Sequence, residues 1–293
     1  MNDRPRTRFA PSPTGYLHRG HLLSALWVWG AALRFGYSVH LRIEDHDRGR
    51  TRPEYVTAIR EDLKTFGFTW ESESIQSGKE ALYEKDFRLL REKGLLYGCG
   101  CTRKFLTDTG PVNAEGEVVY QGRCRNRGLP FSAGNAVRFR TPDETIHWED
   151  MRLGAFDENP SLQCGDFMLR GRTGEWTYQF AVCADDIDEG TALIVRGEDL
   201  RGSTARQIAL MRTLGRSAPP RYLHHGLLYE KDSGLKLSKR QRSASLRAEL
   251  AGGTSPEAVI GSVCLEAGLA KDDSPLPLQK ALYIIADGFK ADF

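Results

Sequence analysis

Apolar residues recur along the first hundred positions in two rhythms. Arg6–Ala10 reads as a short strand, and over Tyr37–Asp45 Val39, Leu41 and Ile43 alternate with His40, Arg42 and Glu44, the period of a strand with one buried face. Between them Leu22, Leu23, Leu26, Trp29 and Leu33 fall at spacings of three and four. This predicts a helix over about 20–35, ended by Gly36. Strand, helix and strand in this order make a βαβ unit and hence a parallel sheet. Pro53 opens a second helix with Val56, Ile59, Leu63 and Phe66 as its stripe and Gly67 as its stop; a third spans about 79–93, closed by Gly94.

The rhythm changes after Tyr97. From Gly98 to Pro160 glycines are frequent and alternating runs are short, as in Ala136–Arg140, which reads as an inserted α+β domain. Beyond it, 177–186 and 191–199 look strand-rich. Thr204–Gly215 predicts a helix with Ile208, Met211 and Leu214 inward, and 241–293 is helical in tendency, with Leu246, Leu250, Val259, Val263 and Leu265 as apolar positions. The expected fold is α/β: a doubly wound, Rossmann-like parallel sheet in two halves (1–97 and 176–240), interrupted by an inserted domain (98–175) and followed by a short helical tail (241–293).

Composition narrows the function classes. The 293 residues suit about two domains. The longest early apolar stretch, Leu22–Leu33, is broken by Ser24 and Gly30, and the N-terminus has no apolar signal core. A cytoplasmic monomer with no membrane or DNA partner is expected. A net charge of +2 does not announce a nucleic-acid partner, so only a local surface can bind RNA. Arg123, Arg125 and Arg127 at alternate positions, with Arg138 and Arg140 in the next run, suggest such a stripe.

Six cysteines without an export signal read as reduced thiols or a metal site. Cys99 and Cys101, flanked by glycines at 98 and 100, offer two soft ligands from one turn, and Cys124 a third, which favours Zn²⁺. For the fourth ligand Tyr120, Asp108, Glu117, Cys164 and water compete. Cys164, Cys183 and Cys264 read as small buried apolar residues.

Two distant segments carry the strongest chemistry. His18-Arg19-Gly20-His21 lies between a strand and a helix; Lys236-Leu237-Ser238-Lys239-Arg240 follows Gly234. A helix N-terminus with two imidazoles can donate hydrogen bonds to phosphate oxygens, and two lysines can neutralise charge on a departing pyrophosphate. Gly20 lets a nucleotide approach the backbone. The adjacent acids Asp185 and Asp186 suit either Mg²⁺ or a structural role, and His224-His225, pointing to opposite strand faces, a structural one.

The segments 8–21, 42–47, 176–186, 194–200 and 234–240, in this order, resemble class I aminoacyl-tRNA synthetases of the glutamyl branch over roughly residues 6–240. Arg19 departs from that signature, which more often has an apolar residue there. The resemblance implies ATP-dependent activation of L-glutamate, with Mg²⁺ accompanying ATP. His18, Gly20, His21, Lys236, Ser238 and Lys239 would serve ATP, with His18, His21 and Lys239 catalytic. Arg8, Ser12, Glu44, Tyr178 and Arg196 would line the glutamate pocket, with Glu44 on the α-ammonium and Arg8 or Arg196 on the side-chain carboxylate. Arg42, Asp45 and Asp47 share the 42–47 segment and are read either as binding substrate or as only orienting Glu44, and are not assigned to the site. It also implies one zinc held by Cys99, Cys101, Tyr120 and Cys124.

Only about fifty residues follow the second signature, too few for an anticodon-binding domain. That shortened plan resembles enzymes of this branch that attach glutamate to queuosine in the anticodon of tRNA(Asp). Rival expectations are a short enzyme charging a tRNA 3′ end, a glutaminyl enzyme, and a non-catalytic RNA-binding paralogue.

Overall fold

The computed structural model describes residues 4–47, 49–132, 134–229 and 245–289. The chain begins with β1 (Arg6–Phe9), α1 (Arg19–Phe35), β2 (Ser38–Ile43), α2 (Pro53–Thr65), β3 (Ser72–Ile75) and α3 (Glu80–Glu92). A middle stretch carries β4 (Leu96–Cys99), α4 (Arg103–Thr109), β5 (Ala136–Phe139), β6 (Ile146–Asp150), β7 (Gly154–Glu158), α5 (Pro160–Gln163) and β8 (Met168–Arg170). Then follow α6 (Tyr178–Asp188), β9 (Thr191–Gly197), α7 (Thr204–Thr213), β10 (Arg221–His225), α8 (Leu246–Ala251), α9 (Pro256–Glu266) and α10 (Leu278–Asp287).

Seven strands form one sheet in the order β3-β2-β1-β9-β10-β6-β7, parallel except at β6–β7. The chain leaves β1 toward β2 on one side, and β9 enters on the other. The crevice between the carboxyl ends of β1 and β9 is therefore a topological switch point, where open α/β sheets take their ligands. Helices cover both faces. One core gathers α1, α2 and the C-terminal helices against the sheet; the other gathers α3, α6 and α7. Leu193, Ile194 and Val195 of β9 are all buried, as a central strand covered on both faces requires.

The stretch 98–175 divides between two sheets. Strands β4, β5 and β8 make a separate antiparallel sheet, whereas β6 and β7 extend the main one beyond β10. Residues 178–188, expected in a strand, are a helix. The run Phe180–Asp186 is buried throughout, and such a short continuous run lacks the periodicity that separates strand from helix. Its place over the sheet beside α7 decides the matter.

Gly36 is left-handed, with φ 72°, and caps α1 as its position predicts. Leu33, placed inward by spacing, is 43% exposed, because the buried face of α1 ends near Ala32. At Gly30 an added Cβ would lie 2.6 Å from Ile285, so the missing side chain lets α10 pack onto α1. Among the described residues no helix is long and apolar enough to cross a membrane.

Candidate functional site

A cavity of about 470 Å³ opens at the switch point, lined among others by Ser12, His18, Gly20, His21, Glu44 and Tyr178. His18 is the N-cap of α1, and its Nδ1 accepts the Gly20 N–H at 3.1 Å. Reciprocally, His21 Nδ1 accepts the His18 N–H at 3.2 Å, a capping box built from imidazoles. The Gly20, His21 and Leu22 N–H groups are thus taken up by His18 itself. In each neutral ring the proton must then sit on Nε2, because Nδ1 is the acceptor. Both histidines border the cavity, and the rings lie 3.9 Å apart. Gly20 leaves room for the capping ring: a Cβ there would lie 3.1 Å from His18 Cε1, a tight contact.

Arg19 turns away from the cavity. Its guanidinium bonds both carboxylate oxygens of Glu249 in α8, Ser262 Oγ at 2.8 Å and Glu266 in α9, which raises its pKa through the Glu249 bond first. The departure from the signature is thus a clamp between α1 and the C-terminal helices. Arg19→Ala is expected to lower the unfolding free energy by about 1–2 kcal/mol, read as a lower urea midpoint at unchanged slope. Ser245 bridges His18, and the Leu246 N–H reaches Leu17 O at 2.8 Å. Lys236, Ser238 and Lys239 lie outside the described residues.

Behind the cavity is a buried ion network. Arg42 bonds Asp186 at 2.8 Å and Glu189 at 2.7 Å, and lies 3.4 Å from Glu44. Arg8 bonds Asp186 at 3.0 Å. Asp185 accepts from Gln76 and Tyr83 and pairs with Lys79. Burial would raise the Asp186 carboxyl, but Arg42 and Arg8 outweigh it and hold it below the usual range. Asp185 and Asp186 are therefore structural partners of cations inside α6, not an acid pair at a strand end. Glu44 is different: burial raises its pKa despite Arg42, His46 and Arg8, and it reaches the cavity wall. Burial also raises Tyr178, with Glu44 adding to the shift and Arg196 and Arg8 opposing it, so these four side chains share one neighbourhood.

Arg8 and Arg196 lie one layer behind the wall, both 4% exposed. Arg8 is neutralised by Asp186. Arg196 donates to His224 Nε2 at 2.9 Å, Gln207 Oε1 at 2.7 Å and Thr204 Oγ1 at 2.9 Å, all neutral groups. His225, read from the sequence as structural, also borders the cavity, as does Asp199 from the 194–200 segment, a residue with no assigned role. Burial pushes the His225 pKa down to about 4, and its ring stacks on Trp27. A larger cleft of about 850 Å³ opens alongside. Among the described residues that line it, the charged ones are Asp47, Glu80 and Glu175.

Cys99, Cys101 and Cys124 come together in the small antiparallel unit, their sulfurs within 4.8 Å of one another. Cys101 and Cys124 Sγ are 3.7 Å apart, close to the roughly 3.8 Å edge of a tetrahedron with zinc–sulfur bonds of about 2.3 Å. Tyr120 Oη lies 3.4 Å from Cys99 Sγ and accepts the Cys124 N–H at 2.8 Å. Burial opposes ionisation of Cys124, but the Gly100 N–H and bonds from Tyr120 and the other thiols bring it down to about 7.

The expected arginine stripe does not form one continuous face. Residues 123–126 form turns, so alternate positions share no face. Arg138 is buried over the Tyr120 ring at 3.6 Å and donates to Asp166 O; Arg140 donates to Arg125 O; Arg125 pairs with Asp166. Arg123 lies over Phe105 at 4.2 Å. Arg138, Arg140 and Arg125 thus brace the metal-site unit, whereas Arg123 and Arg127 stay exposed.

The family described as tRNA synthetases class I (E and Q), catalytic domain, matches residues 5–270. A Glutamyl-Q tRNA(Asp) synthetase of Bordetella bronchiseptica is 43% identical over 82% of this chain and 76% of its own length. One of Burkholderia cenocepacia is 39% identical over 98% of this chain and 96% of its own. A crystal structure of a glutamate-tRNA synthetase from Elizabethkingia anophelis superposes with a TM-score of 0.77 at 27% identity, over 96% of this chain. This chain spans 65% of that longer enzyme.

Proposed function

The chain belongs to the class I tRNA synthetases of the glutamyl and glutaminyl type, and we infer that it activates L-glutamate with ATP and transfers the glutamyl group to queuosine in tRNA(Asp). The observation that carries glutamate is the charge pattern. Arg196 is a buried cation whose bonded partners are all neutral, and Glu44 is a buried carboxylate at the cavity wall with a raised pKa. An amino acid with an anionic side chain answers both: its carboxylate meets Arg196 and its ammonium meets Glu44. Ser12 and Tyr178 complete the pocket wall, and Arg8, already paired with Asp186, supports it from behind.

In the first step a glutamate α-carboxylate oxygen bonds the α-phosphorus, and the bond to the pyrophosphate oxygen breaks. His18 and His21 each bring an Nε2–H to the cavity, and hydrogen bonds to the α-phosphate that strengthen as charge builds would lower the barrier. Gly20 keeps His18 folded into its cap. Lys236, Ser238 and Lys239 are assigned to the ATP phosphates, Lys239 to the leaving pyrophosphate, on their resemblance alone. Mg²⁺ would accompany ATP and neutralise phosphate charge.

Cys99, Cys101, Cys124 and the Tyr120 hydroxyl fit one structural Zn²⁺ in size and donor type. The metal would cross-link the β4 turn to the loop carrying Tyr120 and Cys124. About one zinc per chain is expected by elemental analysis; Tyr120→Phe should weaken retention against a chelator, and Cys101→Ser should abolish it. Metal-free protein after purification in zinc-containing buffer would contradict this.

The transfer to queuosine rests on the two relatives bearing that name over most of this chain. A second reading, charging of a tRNA 3′ end, draws on the likeness to the glutamate-tRNA synthetase structure. A cytoplasmic monomer fits either. The test of the activation step is ATP–pyrophosphate exchange. Exchange that responds to glutamate and not to glutamine supports the reading; exchange with glutamine alone, or none with either in the presence of tRNA, contradicts it.

A further inference from the structure

Three neighbouring strands place three side chains in line behind the cavity. Asp150 ends β6, His224 lies in β10 and Arg196 in β9; Tyr222 pairs with Asp150, and His224 is the cross-strand partner of Arg196. All three are buried, at 1%, 0% and 4% exposure. Asp150 Oδ2 lies 2.7 Å from His224 Nδ1 and also accepts the His224 N–H at 2.9 Å. Its Oδ1 accepts the N–H groups of Arg152 and Leu153 at 2.9 and 3.0 Å. Burial opposes the charge on Asp150, but these bonds outweigh it, that from His224 first, and keep its pKa below the usual range.

A carboxylate in this cradle can only accept, so His224 Nδ1 must carry the proton. Burial pushes the His224 pKa down in spite of Asp150, and Arg196 adds to that, so the ring is neutral. Its Nε2 is then a lone pair, the acceptor that Arg196 Nε requires. Gln207 Oε1 and Thr204 Oγ1 hold the two terminal nitrogens. Gln207 is itself oriented, since its Nε2 donates to Gln179 Oε1 at 2.9 Å. Three of the five guanidinium N–H groups are thereby fixed, and one remains on each terminal nitrogen.

We propose that Asp150 and His224 are positioning residues for amino-acid selection: Asp150 fixes the His224 tautomer, and His224 fixes the plane of Arg196 so that its remaining N–H pair meets the substrate side-chain carboxylate. The proposal rests on the reading of Arg196 as the carboxylate partner. It gives β6, which lies in the stretch between the two halves of the nucleotide-binding sheet, a part in the specificity of the site. It also gives the two adjacent histidines different tasks: His224 turns to Arg196, and His225 turns to the cavity.

The test is Asp150→Asn in glutamate-dependent ATP–pyrophosphate exchange. With the Asn oxygen on the Arg152 and Leu153 N–H groups, its NH₂ takes the place of Oδ2, loses the bond from the His224 backbone N–H, and faces Nδ1, which drives the proton to Nε2, against Arg196. KM for glutamate should rise about 10- to 100-fold, with KM for ATP and kcat changed less than about threefold. His224→Gln, which can still offer Arg196 an oxygen, should recover part of the affinity that His224→Leu loses. The wild-type tautomer is read without any variant, by nitrogen NMR of labelled histidine: a protonated Nδ1 with a bare Nε2 is expected. A proton on His224 Nε2 overturns the proposal, as does an Asp150→Asn enzyme with unaltered glutamate KM. A rise shared equally by both KM values marks a merely structural role and also overturns it. Arg196→Gln separates the premise. If that variant keeps the wild-type glutamate KM, the reading of Arg196 fails; if it raises KM and Asp150→Asn does not, only the positioning fails.

Discussion

Replacing His18 by asparagine is expected to slow glutamate-dependent ATP–pyrophosphate exchange by about 100- to 1000-fold while leaving the fold intact. His18 has two jobs on two nitrogens. Nδ1 accepts the Gly20 N–H and caps α1; Nε2 is the donor assigned to the α-phosphate. Asparagine is a good N-cap, so its side-chain oxygen can take over the first job, but its amide is too short to take over the second. His18→Ala loses both, and should add a stability loss of about 1 kcal/mol to the same loss of rate. The pair of variants thus separates capping from catalysis, read by exchange kinetics and by urea unfolding on the same samples. Wild-type exchange in folded His18→Asn would remove His18 from the chemistry.

Arg196→Gln should cost about 100- to 1000-fold in kcat/KM for glutamate, equivalent to about 3–4 kcal/mol, and should narrow the preference for glutamate over glutamine. The substrate carboxylate would then be buried without a cationic partner, while glutamine loses no such partner. Folding should tolerate the change, because the groups left behind are neutral: His224, Gln207 and Thr204. Asp150 keeps its backbone donors and His224 Nδ1 in that variant. Arg8 offers a contrast. Arg8→Gln would strip a bonded cation from buried Asp186, so it is expected to lower stability as well as activity. Exchange assays with both amino acids, beside thermal melts, distinguish the two arginines.

Local rules read much of this fold in the sequence. The spacing of Leu22, Leu23, Leu26 and Trp29, with Gly36 as the stop, located α1, and the apolar run of β9 and the stripe of α7 were equally plain. The misreadings share a cause. Tyr178–Asp188 lacks periodicity because every side of its middle is buried, so only tertiary packing distinguishes helix from strand. The arginines at 123–140 read as one RNA-facing stripe, but 123–126 is a turn and Arg138 is buried over the Tyr120 ring, which breaks that face.

The site shows the same division. His18, Gly20 and His21 are neighbours in sequence, and their type and spacing suggested chemistry, although not that the imidazoles themselves cap the helix. The partners that distinguish Arg8 from Arg196 are remote. Asp186 is 178 residues from Arg8, and Asp150 is 74 residues from His224. No motif links such pairs; the strand order does. For the metal site, the cysteines carried the signal, and the closeness of Tyr120 Oη to Cys99 Sγ is what favours it over the other candidates for the fourth position.

The most direct test of the account is charging with labelled glutamate on three RNAs: tRNA(Asp) bearing queuosine, tRNA(Asp) lacking it, and tRNA(Glu). Nuclease digestion then locates the label. The proposal predicts ATP-dependent label in the anticodon fragment of the queuosine-bearing tRNA(Asp), and none on the other two. Label on the 3′ end of tRNA(Glu), with none in the anticodon of tRNA(Asp), would contradict it.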